Sequence, residues 1–215
     1  MSRYNAETSG GKRVGGQVVM PKLYYQGHGS YRLTSDDGRT VYVDPYAGKG
    51  YDARADAILV THRHRDHNQV RLCVQKHECL IITNEEALAD GNHNSFDLGG
   101  ILIQAVEAKN MMHSPKKCVG YIITLDGVKI YAAGDTSKTR QMETFAALEL
   151  DYAILPGDGI FNMGLKEAAE CARLIGAKRN IIVHLKPGAL FDRRKAEKWT
   201  APNKLIIEPG QEIRL

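Results

Sequence analysis

The chain is a succession of short apolar runs, each closed by Gly, Asp or Pro, and this punctuation restricts it to a sheet-centred fold. The runs are Lys22 to Gln26, Tyr31 to Thr34, Thr40 to Val43, Ala57 to Val60, Leu80 to Thr83, Ile101 to Val106, Val119 to Leu125, Lys129 to Ala133, Tyr152 to Leu155, Asn180 to His184 and Lys204 to Ile207. Stretches of this length, rich in Val, Ile, Leu and Tyr and bounded by turn residues, are strands. One segment breaks the pattern. Gly164 to Ala177 sets Leu165, Ala168, Ala169, Ala172 and Ile175 at three- and four-residue steps, which predicts a helix with one face on a sheet. Asn162 is its expected cap and Gly176 its stop. Weaker helical patterns occupy 68–76, 84–89, 138–148 and 192–196. Strands with interspersed helices predict a layered α/β or α+β sandwich.

At 215 residues the chain is long enough for one sizeable core. Residues 22–215 are expected to form a single domain. Residues 1–21, rich in Gly, Ser and charge up to Gln17, are expected to be a flexible tail or a loosely held first strand. No apolar run approaches the ~20 residues of a membrane span, and no apolar segment follows the first basic residues as in a secretory signal. Cys73, Cys79, Cys118 and Cys171 are scattered without a CxxC pair, so a reducing, cytoplasmic setting is expected. A net charge of +4 is too mild and too dispersed for a nucleic-acid footprint.

The chemistry is concentrated in THRHRDHN, residues 61–68, directly after a run that looks buried. Side chains of an extended segment repeat every second residue, so His62 and His64 face one side and can share an ion. Asp66 and His67 follow where the chain is expected to turn into a helix, and can serve a second centre. Imidazole and carboxylate suit zinc and similar divalent metals. His113, Asp135 and His184 each follow a later strand-like run. Singly, Asp135 reads equally as the start of a turn and His184 as a core histidine. Together with the first four they make seven candidate ligands, which fit two ions better than one, because a catalytic tetrahedral zinc takes three protein ligands and leaves a position for water.

HxHxDH at 62–67, a later His113, GDT at 134–136 and the strand-terminal His184 resemble the metallo-β-lactamase superfamily of binuclear metallohydrolases. GHGSYRL at 27–33, VDPY at 43–46, His113-Ser114 and LPGDGIFNMGLKEAAE at 155–170 are most similar to its small metal-dependent hydrolases, the group that includes ascorbate-6-phosphate lactonase-like proteins. The resemblance implies a four-layer αββα sandwich with metals at the sheet edge. It implies His62, His64 and His113 on one metal, Asp66, His67 and His184 on the other, and Asp135 bridging both. Zinc is the expected metal, with manganese or iron fitting the same donors. Arg63, Arg65 and Asp158 depart from the pattern of the similar group. As spacers of an extended segment, Arg63 and Arg65 are expected to point away from the ligands and to form structural salt bridges.

A hydroxide shared by two divalent ions would then attack a small ester, lactone or phosphoester, with Asp66 orienting it and passing a proton to the leaving group. His28, in the Gly-flanked GHGS loop, reads either as a substrate contact or as support for the metal site. Asn162 and Met163, at the start of the predicted helix, read as weaker substrate contacts, because helix N-termini favour anions; the substrate is accordingly expected to be a small molecule with an anionic group. Two other functions fit the same residues: a phosphodiesterase or nuclease of the superfamily, and a metal-containing protein that binds a metabolite without turning it over. No partner protein is implied, and an oligomer is compatible with the chain.

Overall fold

A computed structural model describes residues 20–215, together with the backbone of Arg13–Val14 and Gln17–Val18. These two pairs form β1 (Arg13–Val14) and β2 (Gln17–Val18), which are antiparallel to one another. The rest of the tail expected over residues 1–21 lies almost wholly outside the described residues.

Five strands follow in one sheet: β3 (Lys22–Gly27), β4 (Ser30–Thr34), β5 (Thr40–Val43), β6 (Ala55–Leu59) and β7 (Gln75–Ile82). A second sheet takes β8 (Ser95–Asp97), β9 (Leu102–Glu107), β10 (Val119–Leu125), β11 (Val128–Ala132), β12 (Tyr152–Pro156), β13 (Arg179–Val183) and β14 (Lys204–Leu205). The chain then returns to the first sheet, where β15 (Glu212–Arg214) pairs with β3. Both sheets are laid out alike, adjacent strands being antiparallel at first and parallel later. The change falls at β5 in the first sheet and at β11 in the second. Parallel neighbours carry their carboxyl ends to the same edge, where ligand sites of open α/β sheets form.

Alternation fixes which side chains meet between the sheets. Leu23, Tyr25, Leu33, Val41, Val43, Ala57 and Leu59 from the first sheet pack against Ile103, Val119, Tyr121, Ile123, Ile130, Ile154 and Ile181 from the second. The outer face of the second sheet, with Tyr131, Ala153, Leu155 and Ile182, is covered by α2 (Leu165–Ile175) and by the 3₁₀ turns of Arg140–Leu148. Strands β5 and β12 are therefore buried along their whole length, which explains their unbroken apolar sequences. The molecule is an α/β sandwich. Over the first sheet the outer layer is thinner: Tyr51, Cys73 and Val70 cover Tyr42, Ile58 and Val60. The short helices α1 (Asn84–Ala87) and α3 (Arg193–Lys198) complete the helical structure that needs description.

Two sequence expectations are corrected. The helix over 68–76 is a single 3₁₀ turn, Val70–Leu72, and β7 already begins at Gln75. Leu72 and Val74 are both 44% exposed, so the segment has no apolar stripe to bury. The cap of α2 is Gly164, without a side-chain hydrogen bond, and not Asn162. Gly176 does stop α2, in the left-handed conformation. The edge strands β8 and β15 escaped prediction because SFD and EIR are short and half polar. Among the described residues, no helix is long and apolar enough to cross a membrane.

Tyr121 staples the sheets together. Its ring lies in the core, and its hydroxyl stands 3.2 Å from the Val60 carbonyl and 3.3 Å from that of Ile82, at the ends of β6 and β7. Burial pushes its phenol pKa well above the ordinary value, so it stays a donor at any physiological pH. Tyr121→Phe is expected to lower unfolding free energy by about 1 kcal/mol, the net worth of one buried hydrogen bond. Tyr121→Ala should cost about 3–5 kcal/mol. Urea denaturation of the two variants measures both.

Candidate metal centre

The carboxyl ends of β5, β6, β11, β12 and β13 lead into Asp44, Thr61-His62, Asp135, Asp158 and His184. Five loops thus deliver polar side chains to one edge of an otherwise apolar sandwich. The edge is closed by a backbone bond between the sheets, Val119 N–H to Thr61 O at 3.0 Å. Gly134 makes that approach feasible: it adopts φ +63°, and a Cβ there would stand 2.8 Å from Thr61 Cγ2.

The seven sequence-derived candidates come together. His62, His64 and His113 form one group of potential donors, with His64 Nδ1 and His113 Nε2 only 3.1 Å apart. Asp66, His67 and His184 form a second, together with His28. Asp135 stands between them: its Oδ1 is 3.3 Å from His67 Nε2 and 3.4 Å from His184 Nε2, and its Oδ2 is 3.8 Å from His62 Nε2. Asp66 and His67 sit in a tight turn, His67 N–H to His64 O at 3.0 Å, and not at the start of a helix.

Each inward-facing imidazole is oriented from behind. Asp44 Oδ2 accepts from His67 Nδ1 at 2.9 Å and from the Thr61 hydroxyl at 2.7 Å, while its Oδ1 accepts from Thr61 N–H at 2.7 Å. With its own proton committed to Asp44, Thr61 Oγ1 accepts from His62 Nδ1 at 3.1 Å. Asn110 Oδ1 accepts from His113 Nδ1 at 2.9 Å. Asp158 Oδ2 lies 3.1 Å from His184 Nδ1, and its Oδ1 accepts backbone N–H groups from Ile160 and Phe161. These partners place protons on Nδ1 and leave Nε2 of His62, His67 and His113 aimed inward, while Asp158 faces His184 Nδ1 as a charged neighbour without a formed hydrogen bond.

The donor chemistry fits divalent cations. His62 Nε2, His67 Nε2, His184 Nε2 and Asp135 Oδ1 are buried with no hydrogen-bond partner among the described residues. Buried polar atoms without partners are costly, and lone pairs 3–4 Å apart repel unless a cation lies between them. The field agrees. Burial and neighbouring imidazoles push the His62 pKa down to about 2, so that ring is a neutral donor. At His67 burial also acts downward, but Asp135, Asp44 and Asp66 outweigh it and hold the pKa up at about 9. Without metal that ring keeps its proton at neutral pH, and a metal ion would displace it.

The sequence pattern described as "Beta-lactamase superfamily domain" matches residues 22–184. The chain belongs to that superfamily. Its full-length relatives include a UPF0173 metal-dependent hydrolase of Thermococcus onnurineus, 29% identical over an alignment covering 91% of this chain and all of the relative. A candidate metal-dependent hydrolase from Parabacteroides distasonis superposes with a TM-score of 0.73 at 28% identity, covering 89% of this chain and 94% of that one. A metallo hydrolase from Ignicoccus hospitalis shares the fold at 22% identity, with a TM-score of 0.72 over 91% of this chain and 98% of that one. The metallo-β-lactamase fold and the ordered motifs thus agree.

Two other expectations are revised within this superfamily member. Asn162 is 6% exposed, donates to Asp158 Oδ2 at 2.7 Å and accepts from Asn110 Nδ2 at 2.7 Å, so it braces the residues beside His184 and His113. Met163 is a fully buried core residue. The start of α2 therefore presents neither side chain to an anion. His28 resolves toward support: it is buried, its Nδ1 donates to the Ala189 carbonyl at 3.0 Å, and its Nε2 lies 3.1 Å from Asp66 Oδ2. Hydrogen bonding to that ring holds the Asp66 carboxyl well below the usual range. Arg63 makes the surface ion pair expected of it, 2.6 Å from Glu85. Sequence reasoning missed Asp44 and Asn110 as supports, and met Asp158 only as a departure. Asp44 carries a usable signal, an acidic residue just past a buried strand in VDPY.

Asp44→Asn sets an amide against the Thr61 hydroxyl and His67 N–H, and so removes the acceptor that orients both. Zinc affinity measured against a chromophoric chelator is expected to fall about 10- to 100-fold. Wild-type affinity in a folded variant would remove Asp44 from the support of the site.

Proposed function

We propose that this protein is a metal-dependent hydrolase of small ester, lactone or phosphoester substrates. It would use two divalent ions, zinc first among them. His62, His64 and His113 hold one ion in this reading, Asp66, His67 and His184 hold the other, and Asp135 reaches both. The observation that carries the reading is the convergence of partnerless buried donors on both oxygens of one carboxylate, Asp135. The hydrolase names of the relatives support the reaction class.

Bound metal would supply Lewis-acid polarisation of the substrate oxygen and a water acidified toward neutral pH. The chain's own residues do the remaining work. Asp44, Thr61, Asn110 and Asp158 fix the imidazoles before substrate arrives, so little reorganisation is left for the transition state. Asp66 is the acid–base group. Its side chain is 35% exposed, far more than Asp135 at 6%, and so can meet both substrate and solvent. His28 Nε2, 3.1 Å from Oδ2, holds this carboxylate in place and ionised, so Asp66 is positioned to orient the attacking water, take up its proton and relay it toward the leaving group.

A panel of lactones, phosphodiesters, thioesters and β-lactams, run on metal-loaded, chelated and Asp66→Ala protein, tests the proposal. Turnover of an ester-like or phosphoester member is expected with metal, lost on chelation, and lowered at least ~100-fold by Asp66→Ala with the fold intact. Turnover of phosphodiesters without lactones would favour the phosphodiesterase reading. Tight metabolite binding without product would favour a non-catalytic one.

A further inference from the structure

A cleft of about 520 Å³ opens beside the first group of histidines. His62, His64 and His113 form its inner wall, and Arg63, Asn84, Lys116 and Lys117 are among the residues of its outer part. Its charge is one-sided. Glu85 is the only acidic residue of the lining and is already paired with Arg63. Lys116 and Lys117 are exposed on the turn that follows His113-Ser114, and neither has an acidic partner among the described residues. Asn84 adds a directed polar group. It is 8% exposed, and its buried Oδ1 has no partner among the described residues. As an acceptor it calls for a donor, a water or a substrate hydroxyl, and not for the anion itself.

We propose that this cleft is the substrate subsite for an oxyacid anion, a phosphate, phosphonate or carboxylate group, held by Lys116 and Lys117. The inference rests on reading the adjacent histidines as the reaction centre and adds the class of molecule that reaches it. Concave clefts lined by one sign of charge concentrate counter-ions, and ammonium groups contact oxyanions as movable point charges. Lys116 and Lys117 follow His113 by three and four residues and line the same cleft, so an anion on them lies beside that histidine. The anion subsite is therefore on the Lys116–Lys117 turn and not at the N-terminus of α2, where Asn162 and Met163 are otherwise engaged.

The probes are phenylphosphonate, benzoate and benzyl alcohol, titrated by calorimetry into full-length protein, metal-loaded and chelated. Three proteins are compared: wild type, Lys116→Gln/Lys117→Gln, and Lys166→Gln/Lys198→Gln, which removes the same charge outside the cleft. Phenylphosphonate, benzoate or both are expected to bind wild type and the outer variant alike, to bind the cleft variant about tenfold more weakly, and to weaken with salt. Benzyl alcohol is expected not to bind. Preference between the two anions separates phosphate-type from carboxylate-type ligands. Equal anion affinity in all three proteins, equal losses in both variants, no anion binding to wild type, or benzyl alcohol binding as tightly as the anions would overturn the proposal. Because binding is read without turnover, a positive titration stands if the hydrolysis panel fails, and a failed titration leaves metal-dependent turnover intact.

Discussion

The carboxylate of Asp44 is the contact on which the rest of the site depends. It sits at φ +46°, a left-handed conformation uncommon for Asp, and its backbone carbonyl accepts from the Ser30 hydroxyl. From that anchored position two oxygens order three groups, Thr61 N–H, Thr61 Oγ1 and His67 Nδ1, and through Thr61 they also order His62. One carboxylate therefore sets the orientation of a ring in each of the two donor groups. His28 and His184 share the same backbone region, at φ +57° and +48°. Strain of this kind persists only where the surroundings over-determine it, and here it concentrates around the donors.

Compensation for a crowded set of lone pairs explains the architecture of the edge. Four imidazole nitrogens and two carboxylate oxygens within a few ångströms would be untenable in a dry interior. They are tolerable at a sheet edge because the loops behind them supply hydrogen-bonding partners to His62, His67 and His113 and a carboxylate beside His184, and a cation would satisfy the other side. Gly29 shows how closely this is fitted. A Cβ there would stand 3.0 Å from His67 Cε1, so any side chain at this position would press on the ring and shift it by a few tenths of an ångström.

Much of this was legible in the sequence. The strands declared themselves because β12 and most of β5 and β13 are buried on both faces and so carry apolar runs such as AIL, VYV and IIV. The donors were legible because ligand-type residues recur just past those runs. What escaped has a physical reason too. Segment 68–76 carries apolar residues that the fold leaves exposed, so its pattern suggested a helix where there is a turn and a strand. Asn162 and Met163 sit where a helix dipole would favour an anion, but side-chain hydrogen bonding and core packing decide their role. Asn110 and Asp158 support histidines far away in sequence, and no local pattern announces a contact between distant loops.

The matching layout of the two sheets has a consequence for how the protein matures. The first half of the chain delivers His62, His64, Asp66 and His67, and the second delivers His113, Asp135 and His184. Neither half carries a complete donor group. A complete donor group therefore forms only once both sheets are made and docked. A metal ion held there would lock the finished tertiary structure, adding stability that grows with the logarithm of free metal concentration. Occupancy of both donor groups would report that folding is complete.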